Sequence, residues 1–252
     1  MSKLKGIFFD QDGVIIDTER DGHRVSFNET FKAFGYPFEW DVEEYHELLQ
    51  IAGGKERMKH YMDEKGTTAG MLPEAVDEQI KKMHKFKTDK FIEMIESGQL
   101  PLRPGIRRFM QEANQAGLVI GVCTTSDVKA AQAIAYKVLA DVRLEFVLAG
   151  DMVTKKKPDP EIYNLALQKC GLGPDECIVV EDSRNGLLAA KNAGLRVIAT
   201  TNPYTEKEDL HESDLILTCL GDPGGEKAVL VKGGPIPSFD GVLHVAQVAA
   251  LF

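Results

Sequence analysis

The 252 residues are 43% hydrophobic and 27% charged, with a formal charge of -9, a composition ordinary for a globular chain and long enough for one core with a smaller insert. The negative balance argues against nucleic acid or an acidic membrane surface as a main partner, but leaves room for a small anionic substrate held by a few local cations or a metal. The longest apolar runs, such as Leu118 to Cys123, are far too short to cross a bilayer, and MSKLKGIFFD enters its first strand without a leader, so a cytoplasmic protein with no membrane partner is expected.

The first strand is expected at Gly6 to Asp10, an apolar run that ends on two aspartates, Asp10 and Asp12, flanking Gln11. Thr18 to Gln99 then holds no convincing strand but four helical patterns, at His23 to Phe34, Val42 to Ile51, Lys55 to Glu64 and Pro73 to Ser97. A stretch this long is not a loop. It reads as an inserted helical domain, joined to the rest by linkers at Asp17 to Glu19 and Gly98 to Arg103. From Pro101 onward, strands at Leu118 to Thr124, Phe146 to Ala149, Cys177 to Glu181, Arg196 to Thr200 and Leu215 to Leu217 alternate with amphipathic helices. Pro104 is expected just inside the start of one helix and Gly117 just past its end, while Ser183 caps another that stops at Gly194. The alternation predicts a doubly wound α/β core formed by residues 1–17 and 100–252, with residues 18–99 as the helical insert. The tail after Gly221 is loop-rich and ends in an apolar helix, HVAQVAALF. Cys123, Cys170, Cys177 and Cys219 have no C-x-x-C spacing and read as reduced core or near-core residues.

Ligands of open parallel sheets bind beyond the carboxyl ends of the strands. There the sequence sets Asp10 and Asp12 after the first strand, Thr124, Thr125 and Ser126 after the second, Glu181 and Asp182 after the fourth, and KKKPDP at Lys155 to Pro160 on the connection before it. Clustered carboxylates repel and raise one another's pKa, so a positive group must sit among them. Oxygen donors without histidine or cysteine favour Mg2+ over zinc, and Mg2+ with a lysine accommodates a phosphate dianion. Phosphoryl transfer is the chemistry such a set suits. Each residue alone has a plainer reading: aspartates are common in turns, capping explains Ser183, Thr125 and Ser126 suit turns, and Lys155 and Lys156 suit a solvated face.

The ordered set DQDGV, CTTS, KKKPDP and VVEDS resembles the four motifs of the haloacid dehalogenase superfamily, including a helical cap inserted after the first motif. The resemblance implies a Rossmann-like core, with Asp10 as nucleophile and Asp12 as general acid and base. It also implies Mg2+ held by Asp10, the Asp12 backbone carbonyl and Asp182, with Glu181 contributing directly or through water. Thr124 and the Thr125 amide would bind phosphate oxygens, with Ser126 beside them, and Lys157 would neutralise charge and order Asp10. Cap closure over the site is expected to hinge at the two linkers.

Beyond these motifs, DTERDGHRVSFNETF, IAGGKERM and LPLRPG resemble the CbbY-type phosphatases, which remove the C1 phosphate of xylulose-1,5-bisphosphate, an inhibitor of Rubisco. A bisphosphate needs a second anion site away from Asp10. Lys55 and Arg57, at a helix start behind Gly53 and Gly54, are expected to provide it; Glu19, His23 and Arg24 on the first cap helix are expected to face the sugar, Arg103 at the second linker to reach its phosphate, and Lys87 in HKFKTDKF is a further candidate. A β-phosphoglucomutase-type phosphosugar mutase shares the core motifs and remains the alternative; a receiver-type phosphoprotein switch is a further one, for which this length is excessive. The expected partner is a phosphorylated sugar and the expected form a monomer.

Overall fold

Strand β1, Gly6–Phe9, is buried at all four positions, as an apolar run must be when it lies in a parallel sheet covered on both faces. The computed structural model describes residues 3–49, 51, 54–98, 100–126 and 128–251. By its contacts the chain forms two compact units, Met1–Asp17 with Leu100–Phe252, and Thr18–Gln99.

The second unit begins with a wide π-helical turn, Thr18–His23, and continues as α1 (Arg24–Ala33), α2 (Val42–Leu48), α3 (Gly54–Glu64) and α4 (Pro73–Glu96). The helical winding therefore starts five residues before the expected His23. Asp41 caps α2 by accepting from the Glu44 amide at 2.8 Å, and Pro73 opens α4 at a position whose amide needs no helical partner. The unit is built around aromatic side chains: Trp40 packs 4.8 Å from Phe27 and 4.7 Å from Phe31 between ring centroids. All three are buried, each contributing roughly 1.5–3 kcal/mol by leaving water. Asn28 pins the connecting loop with two 2.9 Å hydrogen bonds to the Trp40 backbone. Gln50, at the expected end of the second helix, lies outside the described residues, as do Gln99 in the second linker and Ala52 and Gly53 before α3.

The first unit resumes with α5 (Ile106–Gln115), β2 (Val119–Cys123), α6 (Val128–Val138), β3 (Phe146–Leu148), α7 (Glu161–Cys170), β4 (Cys177–Glu181), α8 (Arg184–Asn192), β5 (Arg196–Thr200), β6 (Leu215–Leu217), β7 (Leu230–Lys232) and α9 (Val245–Ala249). The sheet order is β3-β2-β1-β4-β5-β6-β7. Six strands are parallel; β7 alone runs antiparallel, beside β6. Strand β1 lies between β2 and β4 with Phe9 level with Val122 and Val180, so the chain emerging from these three strands does so at one edge of the sheet. Where the chain leaves and re-enters this unit, Ile16 bridges to Leu102 and the Arg103 amide donates to the Ile15 carbonyl at 2.9 Å.

Two expectations are corrected. Pro104 lies outside α5, which begins at Ile106, because Gly105 takes φ +85° as its cap and gives its amide to Asp222 at 2.8 Å. The tail contributes β7, a three-residue edge strand whose exposed Val231, with the exposed Val229 just before it, masks the alternation that marks a half-buried strand. No helix among the described residues is long and apolar enough to cross a membrane.

Candidate active site

Asp10 follows β1, and its amide donates to the Val180 carbonyl at 2.9 Å, continuing the sheet one step beyond the strand. That register fixes where its carboxylate emerges. Asp12 comes next in a turn that needs Gly13: its φ is +84°, and a Cβ there would stand 2.0 Å from Asp182 Oδ2. The Asp12 carboxylate accepts from Thr124 Oγ1 at 3.1 Å and from the Ser126 hydroxyl on the same oxygen. Thr124 in turn accepts the Ser126 amide at 3.1 Å. Two hydroxyls at the end of β2 thus orient the second aspartate.

Lys157 Nζ donates to Asp10 Oδ1 at 2.6 Å, to Glu181 Oε1 at 2.6 Å and to the Cys123 carbonyl at 3.0 Å. Burial opposes its charge, but the Asp10 and Glu181 carboxylates overcome this and hold it above the usual lysine range. Of the three lysines in KKKPDP it alone faces the acids: Lys155 pairs with Asp159 at 3.5 Å, and Lys156 reaches the Thr125 carbonyl at 3.5 Å. Glu181, fully buried, also accepts from Tyr163 Oη at 2.5 Å, and its other oxygen accepts the Asp182 amide at 3.2 Å. Gly186, in the first turn of α8, makes room for that carboxylate, since a Cβ would meet Glu181 Oε2 at 1.9 Å. Ser183 caps α8 by accepting from the Gly186 amide.

Asp10, Glu181 and Asp182 each present an oxygen within 4.8 Å of the others. Burial pushes Asp10 up to about 7 against the pull of Lys157, with Glu181 and Asp12 adding to the rise. Burial, then the charges of Asp10 and Glu181, likewise raise Asp182. A cation among these groups would remove both penalties, and the all-oxygen donor set fits a hard divalent ion. Asp10 and Asp182 are the better placed to hold it, because both Glu181 oxygens already accept hydrogen bonds. A cleft of about 270 Å3 opens here, lined by Asp10, Asp12, Thr124, Thr125, Lys157, Asp182, Ser183 and Asn185.

Two contributors escaped sequence reasoning. Asn202 donates to Asp182 Oδ2 at 2.7 Å while its own oxygen accepts the amides of Tyr204 and Thr205; the strand-end rule applied to β5 points to it. Tyr163 reads only as an apolar-face residue of α7. Arg103, expected to reach substrate, gives its guanidinium to the carbonyls of Gly13, Thr200, Thr201 and Thr218.

The helical unit holds its own polar cluster. Glu19 accepts from Tyr45 Oη at 2.6 Å, and Arg57 donates to Tyr45 Oη at 3.2 Å and to the carbonyls of Leu48 and Ile51. Lys87 Nζ stands 2.8 Å from His23 Nδ1 and 4.8 Å from the Phe27 ring centroid. Burial lowers Lys87 to about 8, with Arg57 adding to the fall and Glu19 opposing it. Burial and the Lys87 charge hold His23 well below its ordinary value, so a neutral ring accepts from the ammonium. Arg24 is spent on the Arg20 and Trp40 carbonyls, and Lys55 is exposed.

Residues 4–194 match the sequence profile of the haloacid dehalogenase-like hydrolases. The chain is 46% identical over 234 residues to the CBBY-like protein of Arabidopsis thaliana, covering 91% of this chain and 73% of that protein. It is 39% identical over 225 residues to Protein CbbY of Cereibacter sphaeroides, covering 88% and 95%. Among solved structures, a mutant CbbY from Rhodobacter sphaeroides in complex with xylulose-(1,5)bisphosphate matches with a TM-score of 0.64 at 37% identity, covering 88% of this chain and 97% of that one.

Proposed function

The chain belongs to the haloacid dehalogenase-like hydrolases and is a phosphatase, and from that premise we propose that it is a Mg2+-dependent sugar phosphate phosphatase whose substrate is xylulose-1,5-bisphosphate and whose product is xylulose-5-phosphate. The observation that carries the chemistry is the Lys157 bridge between Asp10 and Glu181, beside an Asp12 oriented by hydroxyls. With one Asp10 oxygen held by Lys157, the other attacks phosphorus in line. Asp12, protonated, gives its proton to the departing sugar oxygen. The resulting Asp12 carboxylate then takes a proton from water, which attacks the aspartyl phosphate, releases inorganic phosphate and restores Asp10. Lys157 offsets the charge that gathers on the phosphoryl oxygens; the Thr125 amide is a donor assigned to them, and the single Thr124 hydroxyl proton, given to Asp12 while that group is a carboxylate, turns to them when Asp12 is protonated. Asp10 and Asp182 would hold Mg2+, which when bound supplies further neutralisation of the phosphoryl group.

The substrate assignment draws support from the CbbY relatives, one of which is the protein seen with xylulose-(1,5)bisphosphate, and from the net positive cluster of Lys87 and Arg57 against Glu19 in the helical unit. A second phosphate needs such a cationic, partly desolvated anchor. The test is phosphate release by purified protein with Mg2+ from xylulose-1,5-bisphosphate, xylulose-5-phosphate and β-glucose-1-phosphate with a bisphosphate primer. Release from the pentulose bisphosphate at the highest kcat/KM is expected. Inertness toward it, with isomerisation of the hexose phosphate, would transfer the assignment to a phosphosugar mutase.

A further inference from the structure

We propose that Tyr163 is a positioning residue for phosphoryl transfer, acting through Glu181 to hold the Lys157 ammonium on Asp10; this rests on the phosphatase reading of the cleft. Tyr163 is fully buried in α7 and does not line the cleft, so it touches neither substrate nor reacting atoms. Its hydroxyl donates to the Glu181 oxygen that also receives Lys157, at 2.5 Å and 2.6 Å respectively. The ammonium has three protons and three acceptors: that oxygen, Asp10 Oδ1 and the Cys123 carbonyl. Its direction is therefore fully specified, and Glu181 must be held still for it to remain so. The Tyr163 ring adds a wall, with its centroid 5.2 Å from Lys157 Nζ. Packing alone asks only for a phenyl ring here. The hydroxyl would be costly in this interior without a partner, and its partner is one of the two carboxylates that fix Lys157, the one that is not the proposed nucleophile. Because Tyr163 acts on the orientation of the charge beside Asp10, its loss should slow the chemical step and leave substrate binding intact.

The variant Tyr163→Phe keeps the ring and removes one oxygen. With xylulose-1,5-bisphosphate and Mg2+, kcat is expected to fall roughly tenfold while KM stays within about twofold. The decisive readout is the double variant. If Tyr163 acts through Lys157, Tyr163→Phe made in a Lys157→Ala background costs no further kcat, whereas an independent structural role multiplies the two losses. An unchanged kcat in the single variant, or multiplied losses in the double, overturns the inference. A wild-type protein inert toward every sugar phosphate overturns the phosphatase reading instead, and the two failures are thereby distinct. Should Tyr163→Phe not accumulate as folded protein, wild-type protein labelled with 3-fluorotyrosine carries the test. Its Tyr163 19F resonance is expected to shift in Glu181→Gln and in Lys157→Ala, and a resonance indifferent to both overturns the link.

Discussion

Lys157 Nζ stands 2.6 Å from Asp10 Oδ1 and 2.6 Å from Glu181 Oε1, so one buried ammonium serves two carboxylates carried by different strands. Removing it leaves both acids in the interior without a counter-charge. Lys157→Ala should therefore destabilise the protein by about 3–5 kcal/mol, read by urea unfolding, and lower kcat by at least roughly a hundredfold. A stable, active Lys157→Ala protein would show that the bridge is dispensable.

Asp10→Asn removes the proposed nucleophile and should abolish turnover in a folded protein. Asp12→Asn keeps Asp10 but loses the proposed proton carrier, so aspartyl phosphate should form slowly and then persist. Rapid-quench measurement of protein-bound phosphate separates the two: none in Asp10→Asn, and up to one per chain in Asp12→Asn. Full turnover by Asp10→Asn would remove Asp10 from the role assigned to it.

Burial pushes the Asp10 carboxyl up to about 7 in the folded chain from an ordinary value of 3.8. Between those values the folded protein keeps a proton that the unfolded chain has released, so this group's contribution to stability falls as pH rises through the window. Metal-free protein should lose stability between pH 5 and 7.5, with a flatter profile in Asp10→Asn, while Mg2+ should raise the thermal midpoint more at pH 7.5 than at pH 5.5. Thermal scans in EDTA and in Mg2+ provide the comparison, and an equal Mg2+ effect at both values would contradict it.

Lys87, lowered to about 8, is a cation below that pH and neutral above it. If it anchors the second phosphate, KM for the bisphosphate should rise as pH passes about 8, while the phosphate, with its second pKa near 6, stays dianionic throughout. Lys87→Met should raise KM for the bisphosphate roughly tenfold or more, leave monophosphate KM within about twofold, and erase the alkaline rise. Equal effects on mono- and bisphosphates would separate Lys87 from the second phosphate.

Gln11, between the two aspartates, is 1% exposed, and neither atom of its carboxamide has a hydrogen-bond partner among the described residues. A buried polar group left unpaired costs about 1–3 kcal/mol. Gln11→Leu should thus raise stability by an amount in about that range, measured by urea unfolding, with kcat within about twofold of wild type. A destabilised variant would mean that the amide has a partner.

Much of the core was legible because a parallel strand buried on both faces is a continuous apolar run, and Ile7–Phe9 and Cys177–Val180 are short, bounded runs of that kind. The helical insert was legible from its 3.6-residue periodicity. Strand β7 was not, because three residues at a sheet edge carry too short a pattern. The roles of the arginines were equally hidden. Charge in the sequence marks Arg24 and Arg103 as possible anion ligands, yet folding commits both to backbone carbonyls, whose positions depend on where loops from distant segments end.

By itself the sequence determined which chemical groups end the parallel strands, in what order and next to which turns, because those features are local and parallel winding brings such ends to one edge. Which charge meets which partner was left to the tertiary structure. Lys157 lies 147 positions from Asp10, Lys87 lies 64 from His23, and Tyr163 lies 18 from Glu181. No local pattern encodes such pairings. They follow from sheet register and helix packing, which place an ammonium or a hydroxyl within 3 Å of a carboxylate or an imidazole and exclude the water that would otherwise take its place.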